Sequence, residues 1–487
     1  MQQKVTPSLT RALAYVFGGR FMRAFIQVAS AAVIARLLTP AEMGVFAVAS
    51  AAVAVSSALA EFGIHPYIVQ KDSMSREVAG RALGLMLLIN WTIAAILFLA
   101  RAPIAVFYGN PAIEDVIAIL AVNFLLNPVG AIGLALLMRE LRHGAYTILN
   151  LVASATAALV SVLFAFHGYG PLSLALGSVA MKISLITGIL ILRPRYLTFR
   201  PVFRGLRDIF GFGSWMMGGS MIQTIGTQTP DLIIGRLLGL EASGLYDRAM
   251  TMTRLINQQI AGALSIVLTP YFAEERRSGL DIKSRYLVRL RMTATIVWPL
   301  MLFLAVSSHS LVITLYGNQW EEAAPLAGIL AISATFFMPF NVGRQLLLSQ
   351  GRVRKLFFIE FILQASRILA VLIASRYGLP WIAGALMVPA MVHVLLFSNA
   401  VGEILQLKAS DWIRAIMPGL VVSALTAIPL IGCLIFLGYR SSIPEPAALA
   451  IYSSLAGFGW LAAIKLARHP ERKEIYQIFA KIIKYRK

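Results

Sequence analysis

Long apolar stretches follow one another along the whole chain, separated by short polar segments. The stretch from Ala112 to Met138, for example, has an acidic pair near its start and no charged residue after it. About 20 such residues span a bilayer as an α-helix, because a helix satisfies its backbone hydrogen bonds internally. The pattern therefore predicts an all-α polytopic membrane protein.

Fourteen membrane helices are predicted from these stretches, and an even number places both termini on the same side of the membrane. Their predicted ranges are 13–38, 43–68, 78–101, 112–138, 145–166, 169–192, 209–237, 242–272, 287–310, 322–347, 354–376, 379–402, 414–437 and 445–467. The first range is too long for the apolar core of a signal peptide, so we expect it to be a membrane helix.

The overall composition agrees with this prediction. Of the 487 residues, 58% are hydrophobic and 13% are charged, and the mean hydropathy is +0.76. The charged fraction is about half of that in soluble domains. The single cysteine, Cys433, lies in an apolar run and can form no internal disulfide, so we expect it to be a packing residue.

The position of the basic residues predicts the orientation of the chain. Lys and Arg number 43 against 22 Asp and Glu, a formal net charge of +21. Counted along the sequence, 32 of the cations lie in loops and ends on the side of the two termini, and five lie on the opposite side. The positive-inside rule therefore predicts cytoplasmic termini. Because the cations alternate between loops, we expect anionic lipid head groups as their partners and no nucleic acid.

One phrase of the sequence occurs twice. Residues 35–46 read ARLLTPAEMGVF and residues 235–246 read GRLLGLEASGLY. Two shorter echoes, Tyr-Gly-Asn at 108 and 316 and Val-Gly at 129 and 342, are likewise six predicted helices apart. Six is an even number, so the two copies insert in parallel, and parallel repeats place a substrate site at their interface.

The repeat predicts how the chain is organised. We expect an N-terminal six-helix lobe at 1–200, a second six-helix lobe at 201–403, and two additional helices with a basic cytoplasmic tail at 404–487.

Several ionisable residues fall within the predicted helices. The cations are Arg20, Arg23, Lys182, Arg248, Arg254 and Arg367, and the acids within or near helix ends are Glu61, Asp231, Asp247 and Glu360. A charge at the bilayer centre costs roughly 2.5–3.5 kcal/mol, so such residues usually face a polar interior. Arg20 and Lys182 could instead extend to the cytoplasmic interface. The pairs Glu360–Arg367 and Asp247–Arg254, each seven residues apart, could be structural ion pairs.

Helical spacing gathers polar residues into stripes on three predicted helices. The stripes comprise Asp247, Thr251, Arg254 and Gln258 on the eighth helix, Thr224, Gln228 and Asp231 on the seventh, and Arg23 and Gln27 on the first. Pro230 is expected to kink the seventh helix. Since these helices belong to different predicted lobes, we expect the stripes to line a central aqueous cavity.

No catalytic constellation is evident in the sequence. It contains no Gly-rich phosphate loop, and its histidines are scattered without the spacing of metal ligands. We therefore expect no enzyme activity, no metal and no cofactor, although transport could be coupled to H⁺ or Na⁺.

The segment 35–72 resembles a family signature. Its most distinctive parts are Ala35-Arg36-Leu37-Leu38-Thr39-Pro40, Gly44, Glu61-Phe62-Gly63 and Gln70-Lys71-Asp72. They resemble the first two helices of Wzx-type polysaccharide-repeat flippases, which belong to the multidrug/oligosaccharidyl-lipid/polysaccharide (MOP) exporter superfamily. Asp231 together with Gly244-Leu245-Tyr246 is similar to the second-lobe pattern of that family. The resemblance extends to about residue 400.

The resemblance implies a MATE-like pair of lobes that alternate access in the bacterial inner membrane. The implied cargo is an undecaprenyl-pyrophosphate-linked oligosaccharide unit, carried to the outer leaflet for O-antigen, capsule or exopolysaccharide assembly. Polysaccharide polymerase and glycosyltransferases are the protein partners that such a role implies.

The resemblance and the positions of the residues in the predicted helices together suggest roles for the charged and polar residues. In the family, cations of helices 1 and 8 often line the cavity, and Arg23 and Arg254 lie in those helices. Arg23, Arg248 and Arg254 are expected to contact the pyrophosphate through charge-assisted hydrogen bonds, with Lys182 and Arg367 as further cavity cations. Asp231, Asp247, Glu61 and Glu360 are expected to serve in gating or ion coupling. The polar lining is expected to comprise Gln27, Thr224, Gln228, Thr251 and Gln258.

Two other functions stay open at the level of the sequence. An ion-coupled multidrug exporter would share the fold, but cationic substrates favour an acidic cavity, whereas here six cations within helices accompany four acids. A membrane enzyme of lipid-linked glycan assembly would be expected to carry a sizeable external loop with paired ionisable residues, which this sequence lacks.

Overall fold

The computed structural model describes residues 7–61, 63–71, 73–205, 207–257, 281–439, 443–472 and 474–475. The side chains at 7–17, 20, 61, 70, 207–217, 220 and 437–439 also lie outside the description. Within the described ranges the regular structure is helical and contains no strand.

Seventeen α-helices are described in these ranges. They are α1 Pro7–Leu37, α2 Pro40–Glu61, α3 Ile64–Gln70, α4 Arg76–Tyr108, α5 Ala112–Arg139, α6 His143–Phe166, α7 Leu172–Leu192, α8 Arg207–Leu237, α9 240–257, α10 Ile282–Tyr316, α11 Ala323–Phe337, α12 Asn341–Ser349, α13 Val353–Ala374, α14 Leu379–Ala385, α15 Met387–Leu405, α16 Ala409–Tyr439 and α17 Glu445–Leu466. A single turn of 3₁₀-helix follows α10 at Asn318–Trp320.

Within the described ranges the helices fall into fourteen spans, so the predicted all-α fold is confirmed, and the part of the eighth predicted helix from 258 to 272 lies outside these ranges. Three predicted spans are each broken into two helices, namely α2–α3, α11–α12 and α14–α15. Among the described residues, eleven spans are long and apolar enough to cross a membrane. Two breaks have a local cause: Gly63 has a φ of +63° between α2 and α3, and Pro339, which has no backbone N–H, lies between α11 and α12.

Two helices extend well past their apolar stretches. α4 has 33 residues and α10 has 35, which corresponds to about 50 Å of helix. The hydrocarbon core of a bilayer is only about 30 Å thick. The additional first turns carry cations, among them Arg76 and Arg81 on α4 and Lys283 and Arg285 on α10. Part of the predicted basic loop charge therefore lies on the ends of helices.

The packing of the helices divides the chain into two compact units, Met1–Gly244 and Leu245–Lys487. α8, which the repeat assigns to the second lobe, packs against α2 within the first unit, where a Cβ on Gly235 would lie 2.3 Å from a Val48 methyl group. The lobe boundary near residue 200 follows the sequence repeat rather than the packing, and it stays a prediction.

Each unit has its own apolar core. In the first unit, α2, α4 and α5 enclose buried residues such as Val48, Leu97 and Ile117. In the second unit, α10 is the central helix, because it packs against α11, α16 and α17. Gly419 permits the close approach of α16, since a Cβ there would lie 3.3 Å from the Ala294 backbone.

The two glycines of the repeated phrase lie against each other. A Cβ on Gly44 would lie 1.7 Å from the carbonyl oxygen of Leu240, and a Cβ on Gly244 would lie 2.0 Å from that of Pro40. Pro40 and Leu240 are equivalent positions in the two copies, so the contact is reciprocal, as it is at a two-fold axis. All four residues belong to the first compact unit. Packing therefore explains why glycine occurs in both copies: at this position the backbone of the other copy leaves no room for a Cβ.

The start of α2 explains another part of this phrase. The Thr39 backbone N–H and hydroxyl both donate to the Glu42 carboxylate, at 2.8 and 2.9 Å, and the Glu42 N–H donates back to the hydroxyl at 3.3 Å. This reciprocal capping box satisfies backbone donors that a helix start leaves without partners. The sequence Thr-Pro-Ala-Glu thus fixes the first residue of α2.

A polar cluster ties the segment after α17 to α10. Arg291 Nη1 lies 2.5 Å from Glu471 Oε1, and His469 Nε2 lies 2.9 Å from the Thr295 hydroxyl. The Trp460 indole N–H donates to the Thr295 carbonyl at 2.9 Å. α17 and the segment after it are therefore held to α10 by specific hydrogen bonds as well as by apolar packing.

Acidification is expected to weaken this attachment. Burial, with a smaller contribution from Arg291, lowers the pKa of His469 from 6.5 to about 4. The unfolded chain therefore binds this proton more readily than the folded protein does. The free energy of unfolding is at its full value above pH 6.5 and decreases as the pH falls towards 4, by roughly 2 kcal/mol at pH 5. Burial raises the pKa of Glu471, which acts in the opposite sense.

The measurement is the midpoint of thermal unfolding in detergent at pH 7 and pH 5. Between pH 7 and pH 5 the unfolding midpoint of the wild-type protein should fall further than that of His469→Gln, whose side chain cannot titrate. An equal loss in both proteins would show that His469 does not carry this pH dependence.

Candidate substrate-binding site

A buried polar chain joins α12 and α13 in the second unit. Arg344 Nε donates to Glu360 Oε1 at 3.2 Å, and Glu360 is only 6% exposed. Gln364 Nε2 donates to the second oxygen of Glu360 at 3.3 Å, and Gln364 Oε1 accepts from Arg367 Nη1 at 2.9 Å. Two guanidinium groups therefore share one carboxylate, one of them directly and the other through an amide.

This arrangement corrects one detail of the sequence analysis. The ion-pair partner of Glu360 in the structure is Arg344, which was counted among the 32 cations of the loops and ends and not among the cations within helices. Arg344 instead lies on α12, within the tenth predicted span. Arg367, seven residues from Glu360 on the same helix, reaches it through Gln364.

A second charged cluster lies on α9. Asp247 Oδ1 is 3.7 Å from Arg254 Nη1, and Asp247 Oδ2 is 3.8 Å from Arg248 Nη2. Both distances are longer than a hydrogen bond, so the two contacts are purely electrostatic. The guanidinium of Arg248 is buried near the rings of Tyr316 and Trp320, with centroid distances of 5.7 and 6.0 Å.

Arg254 differs from Arg248 in its exposure. Its side chain is 42% exposed, whereas that of Arg248 is 10% exposed. A guanidinium with one loose carboxylate contact keeps most of its five N–H donors available for another anion. Arg254 is therefore the cation of this cluster best placed to bind a ligand, and Arg248 is placed to support it.

The two clusters are linked through neighbouring side chains. Tyr246, which precedes Asp247 on α9, interacts electrostatically with Arg367. His393 of α15 faces both Arg367 and Arg344 and packs against the ring of Phe397. Together the clusters contain four arginines and two carboxylates, so this described part of the second unit has a positive excess.

The first unit contains a polar network that the sequence analysis did not identify. Lys182 Nζ donates to Asn127 Oδ1 at 2.8 Å, and Asn127 Nδ2 donates to Asn90 Oδ1 at 3.1 Å. Asn90 is fully buried and donates in turn to the carbonyls of Ala60 and Met86. Lys182 therefore points into the helix bundle and does not only extend to the interface.

The signal for this network was present in the sequence. Asn90 and Asn127 are amides within otherwise apolar helices, and burying an amide is costly unless it forms hydrogen bonds. Such a residue indicates a partner on another helix. The partner itself could not be predicted, because helical spacing relates only residues of the same helix.

The remaining predicted residues are distributed over α1, α8 and α9. Asp231 is 4% exposed, next to Pro230 within α8, and its carbonyl accepts from the Ser243 hydroxyl at 3.3 Å. Thr224 and Gln228 on α8 and Thr251 on α9 are half-buried, and Arg23 and Gln27 on α1 are exposed. Gln258 and the side chains of Arg20 and Glu61 lie outside the described residues.

These side chains suit the binding of an anion rather than a metal. Within the described ranges, no group of three or more His, Cys, Asp or Glu residues could hold a metal ion. Arginine presents a planar array of donors that matches carboxylate or phosphate oxygens. An anionic ligand would find such donors on α9.

The comparison with protein families identifies the family of the chain. A family model described as "Polysaccharide biosynthesis protein" matches residues 33–325. The chain belongs to this family. The match includes the segment whose resemblance to polysaccharide-repeat flippases was noted in the sequence, and the predicted membership is confirmed.

Individual proteins agree with the family assignment. The "Succinoglycan biosynthesis transport protein ExoT" of Rhizobium meliloti (strain 1021) is 28% identical over 350 residues, which cover 71% of this chain and 69% of ExoT. A solved structure of the "Lipid II flippase MurJ, inward closed conformation" has a TM-score of 0.74 at 12% identity, covering 96% of this chain and 100% of MurJ.

A second structural relative comes from the multidrug exporters. The inward-facing conformation of a multidrug resistance MATE family transporter of the MOP superfamily has a TM-score of 0.61 at 14% identity, covering 82% of this chain and 100% of that transporter. At these identities the likeness shows the fold alone. The predicted MOP-type fold is therefore confirmed, and the chain is a multi-pass membrane protein of the polysaccharide biosynthesis family.

Proposed function

We propose that this protein is a flippase for undecaprenyl-pyrophosphate-linked oligosaccharide units, which it moves from the inner to the outer leaflet of the bacterial cytoplasmic membrane. The product would serve the assembly of exopolysaccharide, O-antigen or capsule. The observation that carries the proposal is the positive excess of the charged clusters on α9, α12 and α13, which combine buried groups with the partly exposed Arg254 and Arg344. A lipid pyrophosphate is anionic, and its sugar cannot cross hydrocarbon without a polar path.

The role of each cation follows from its surroundings. Arg254 would bind the pyrophosphate, because its contact with Asp247 is loose and its side chain is 42% exposed. Arg248 would add long-range attraction from its place beside Tyr316, and Arg23 on α1 would be a further contact. Lys182 and Arg367, both held by amide side chains, would contribute fixed positive potential.

The acids would complete the transport cycle. Asp247 would be released from Arg254 when the pyrophosphate binds, which leaves it able to take up a proton or Na⁺. Asp231 and Glu360 are buried carboxylates on α8 and α13, and we assign ion coupling or gating to them, with Glu61 as a fourth candidate. The two lobes would alternate access, and both termini would be cytoplasmic.

Replacement of Arg254 by alanine is expected to reduce transport. A charge-assisted hydrogen bond contributes about 1.5–3 kcal/mol, so Arg254→Ala should lower the rate roughly tenfold to hundredfold, and Arg254→Lys should lower it less. In cells whose own flippase gene is deleted, the measurement is the amount of polymer exported at equal levels of membrane protein. Arg76→Ala, which removes an exposed cation from the start of α4, is the matched control.

The outcome can also contradict the proposal. Full polymer export by both Arg254→Ala and Arg23→Ala would remove these residues from the binding site. Strong ethidium efflux by the wild-type protein would favour the multidrug exporter, which has the same fold. A change in glycan length without a transport block would favour a role in polymerisation.

A further inference from the structure

An apolar groove lies between α6 and α7 of the first unit, and none of the residues of the charged clusters lines it. It has a volume of about 820 Å³, and its walls include Ile148 and Val152 on α6 and Ile183 and Ile191 on α7. These four side chains are exposed in the isolated chain, so in a membrane they would face lipid. The groove is therefore open to the hydrocarbon of the bilayer.

The length of the groove matches one leaflet. Its lining extends from Gly144 to Thr156 on α6 and from Ala180 to Leu192 on α7. Twelve residue steps of helix correspond to about 18 Å. Half of the hydrocarbon core measures about 15 Å. One acyl chain of a phospholipid therefore fits along it, and the groove ends near the middle of the membrane.

Arginines surround the end of the groove where α6 begins and α7 ends. Arg142 Nη1 donates to the carbonyl oxygen of Leu192 at 3.1 Å, and so bridges the two helices at this end. Arg193 and Arg195 follow directly after α7 and are exposed. Glu140 is their acidic neighbour, since its carboxylate accepts from the Arg195 N–H and lies 3.5 Å from Arg142. Three arginines and one glutamate leave this mouth positively charged.

Two glycines shape the groove. A Cβ on Gly188 would lie 2.1 Å from a methyl group of Leu149, so the two helices are in close contact at its floor. A Cβ on Gly144 would have no atom of the described residues within 4 Å, so the space at the mouth is open. A large side chain at Gly144 would therefore enter the groove without a clash in the floor.

We propose that this groove binds an anionic phospholipid of the cytoplasmic leaflet, with one acyl chain along α6 and α7 and the phosphate beside Arg193 and Arg195. The apolar walls and the length of the groove suit the acyl chain. The charge at its mouth distinguishes an anionic head group from a zwitterionic one, because each basic residue near a membrane surface contributes attraction for anionic lipid. The site shares no lining residue with the clusters on α9, α12 and α13, and the proposal does not depend on the transported cargo.

The test is a lipid-binding measurement on the purified full-length protein. Delipidated protein in detergent is titrated with phosphatidylglycerol or phosphatidylcholine, and bound lipid is counted by native mass spectrometry. We expect phosphatidylglycerol to bind at least tenfold more tightly. Gly144→Trp should remove this tight site. Gly457→Trp, at an exposed position of α17 that likewise has open space, should retain it.

A second variant separates the head group from the chain. Arg193→Ala with Arg195→Ala should bring the affinity for phosphatidylglycerol down to that for phosphatidylcholine, while glycerol phosphate without acyl chains should not bind. Equal binding of the two lipids to the wild-type protein, or tight binding that persists in Gly144→Trp, would overturn the proposal. Displacement of phosphatidylglycerol by an equimolar polyprenyl phosphate would also overturn it, since the groove would then hold the tail of the cargo.

Discussion

Replacing Gly44 by alanine should prevent the protein from folding stably in the membrane. The new Cβ would lie 1.7 Å from the carbonyl oxygen of Leu240, which is far inside van der Waals contact. The obstacle is a backbone atom, so no rotation of a side chain can relieve the clash. Added bulk in a packed core costs about 1–3 kcal/mol, and a clash with backbone should reach or exceed about 3 kcal/mol.

The effect can be measured as the yield of monodisperse protein in detergent and as the midpoint of thermal unfolding. Gly244→Ala should behave in the same way, because its Cβ would meet the Pro40 carbonyl at 2.0 Å. Gly457→Ala is the control, since it makes the same change in a membrane helix with open space around it. If Gly44→Ala were as stable as Gly457→Ala, the reciprocal crossing of the repeated phrases would be wrong.

Removal of the Glu360 carboxylate should also lower the stability of the folded protein. Glu360→Ala leaves Arg344 and Arg367 with no acid in the chain of hydrogen bonds that joins α12 and α13. Glu360 is buried while the Arg344 side chain is 35% exposed, so the stranded charge stays partly solvated. We therefore expect a loss of about 1.5–3 kcal/mol, the usual contribution of a hydrogen bond to a charged group. Glu360→Gln should cost less, since the amide can still accept a hydrogen bond from Arg344.

The measurement is again thermal unfolding, with two comparisons that isolate the charge. Glu360→Ala combined with Arg344→Met should recover part of the loss, because the second change removes the stranded cation. Glu403→Ala, which breaks an exposed ion pair with Lys355 in the same unit, should have no measurable effect. A loss in Glu360→Ala that Arg344→Met does not reduce would indicate a cavity effect rather than a buried charge.

The helices were predictable because few backbone conformations satisfy all their hydrogen bonds within a lipid bilayer. Long apolar stretches such as α5 had to be helical, since lipid provides no partner for a free N–H or C=O group. The repeat in the sequence also reflects how the two copies pack. The glycines at 44 and 244 recur because each lies against the backbone of the other copy.

The polar contacts between different helices could not be predicted from the sequence pattern. Spacing along one helix groups Asp247 with Arg254, and these side chains are indeed close. It gives no means of pairing Glu360 with Arg344, because the two residues lie on different helices, α13 and α12, and the chain turns between them at 350–352. The contact of Lys182 with Asn127 could not be predicted either, because Asn127 lies 55 residues earlier in the chain, on another helix. The partner of a buried charge depends on which helices are neighbours.

The proposed cargo distinguishes this protein from exporters with the same fold. The clusters on α9, α12 and α13 hold four arginines and two acids, and such a balance favours a pyrophosphate over an organic cation. The family match and the fold support transport, while the charges support an anionic cargo.

Translocation in reconstituted vesicles is the measurement that tests this claim most directly. Purified protein is placed in liposomes with an undecaprenyl-pyrophosphate oligosaccharide in one leaflet, and a lectin in the other compartment reports its arrival. We predict movement well above that in protein-free vesicles, strongly reduced by Arg254→Ala and absent for an analogue with an uncharged linker in place of the pyrophosphate. Equal movement of the charged and uncharged lipids, or none above the protein-free rate, would contradict the account.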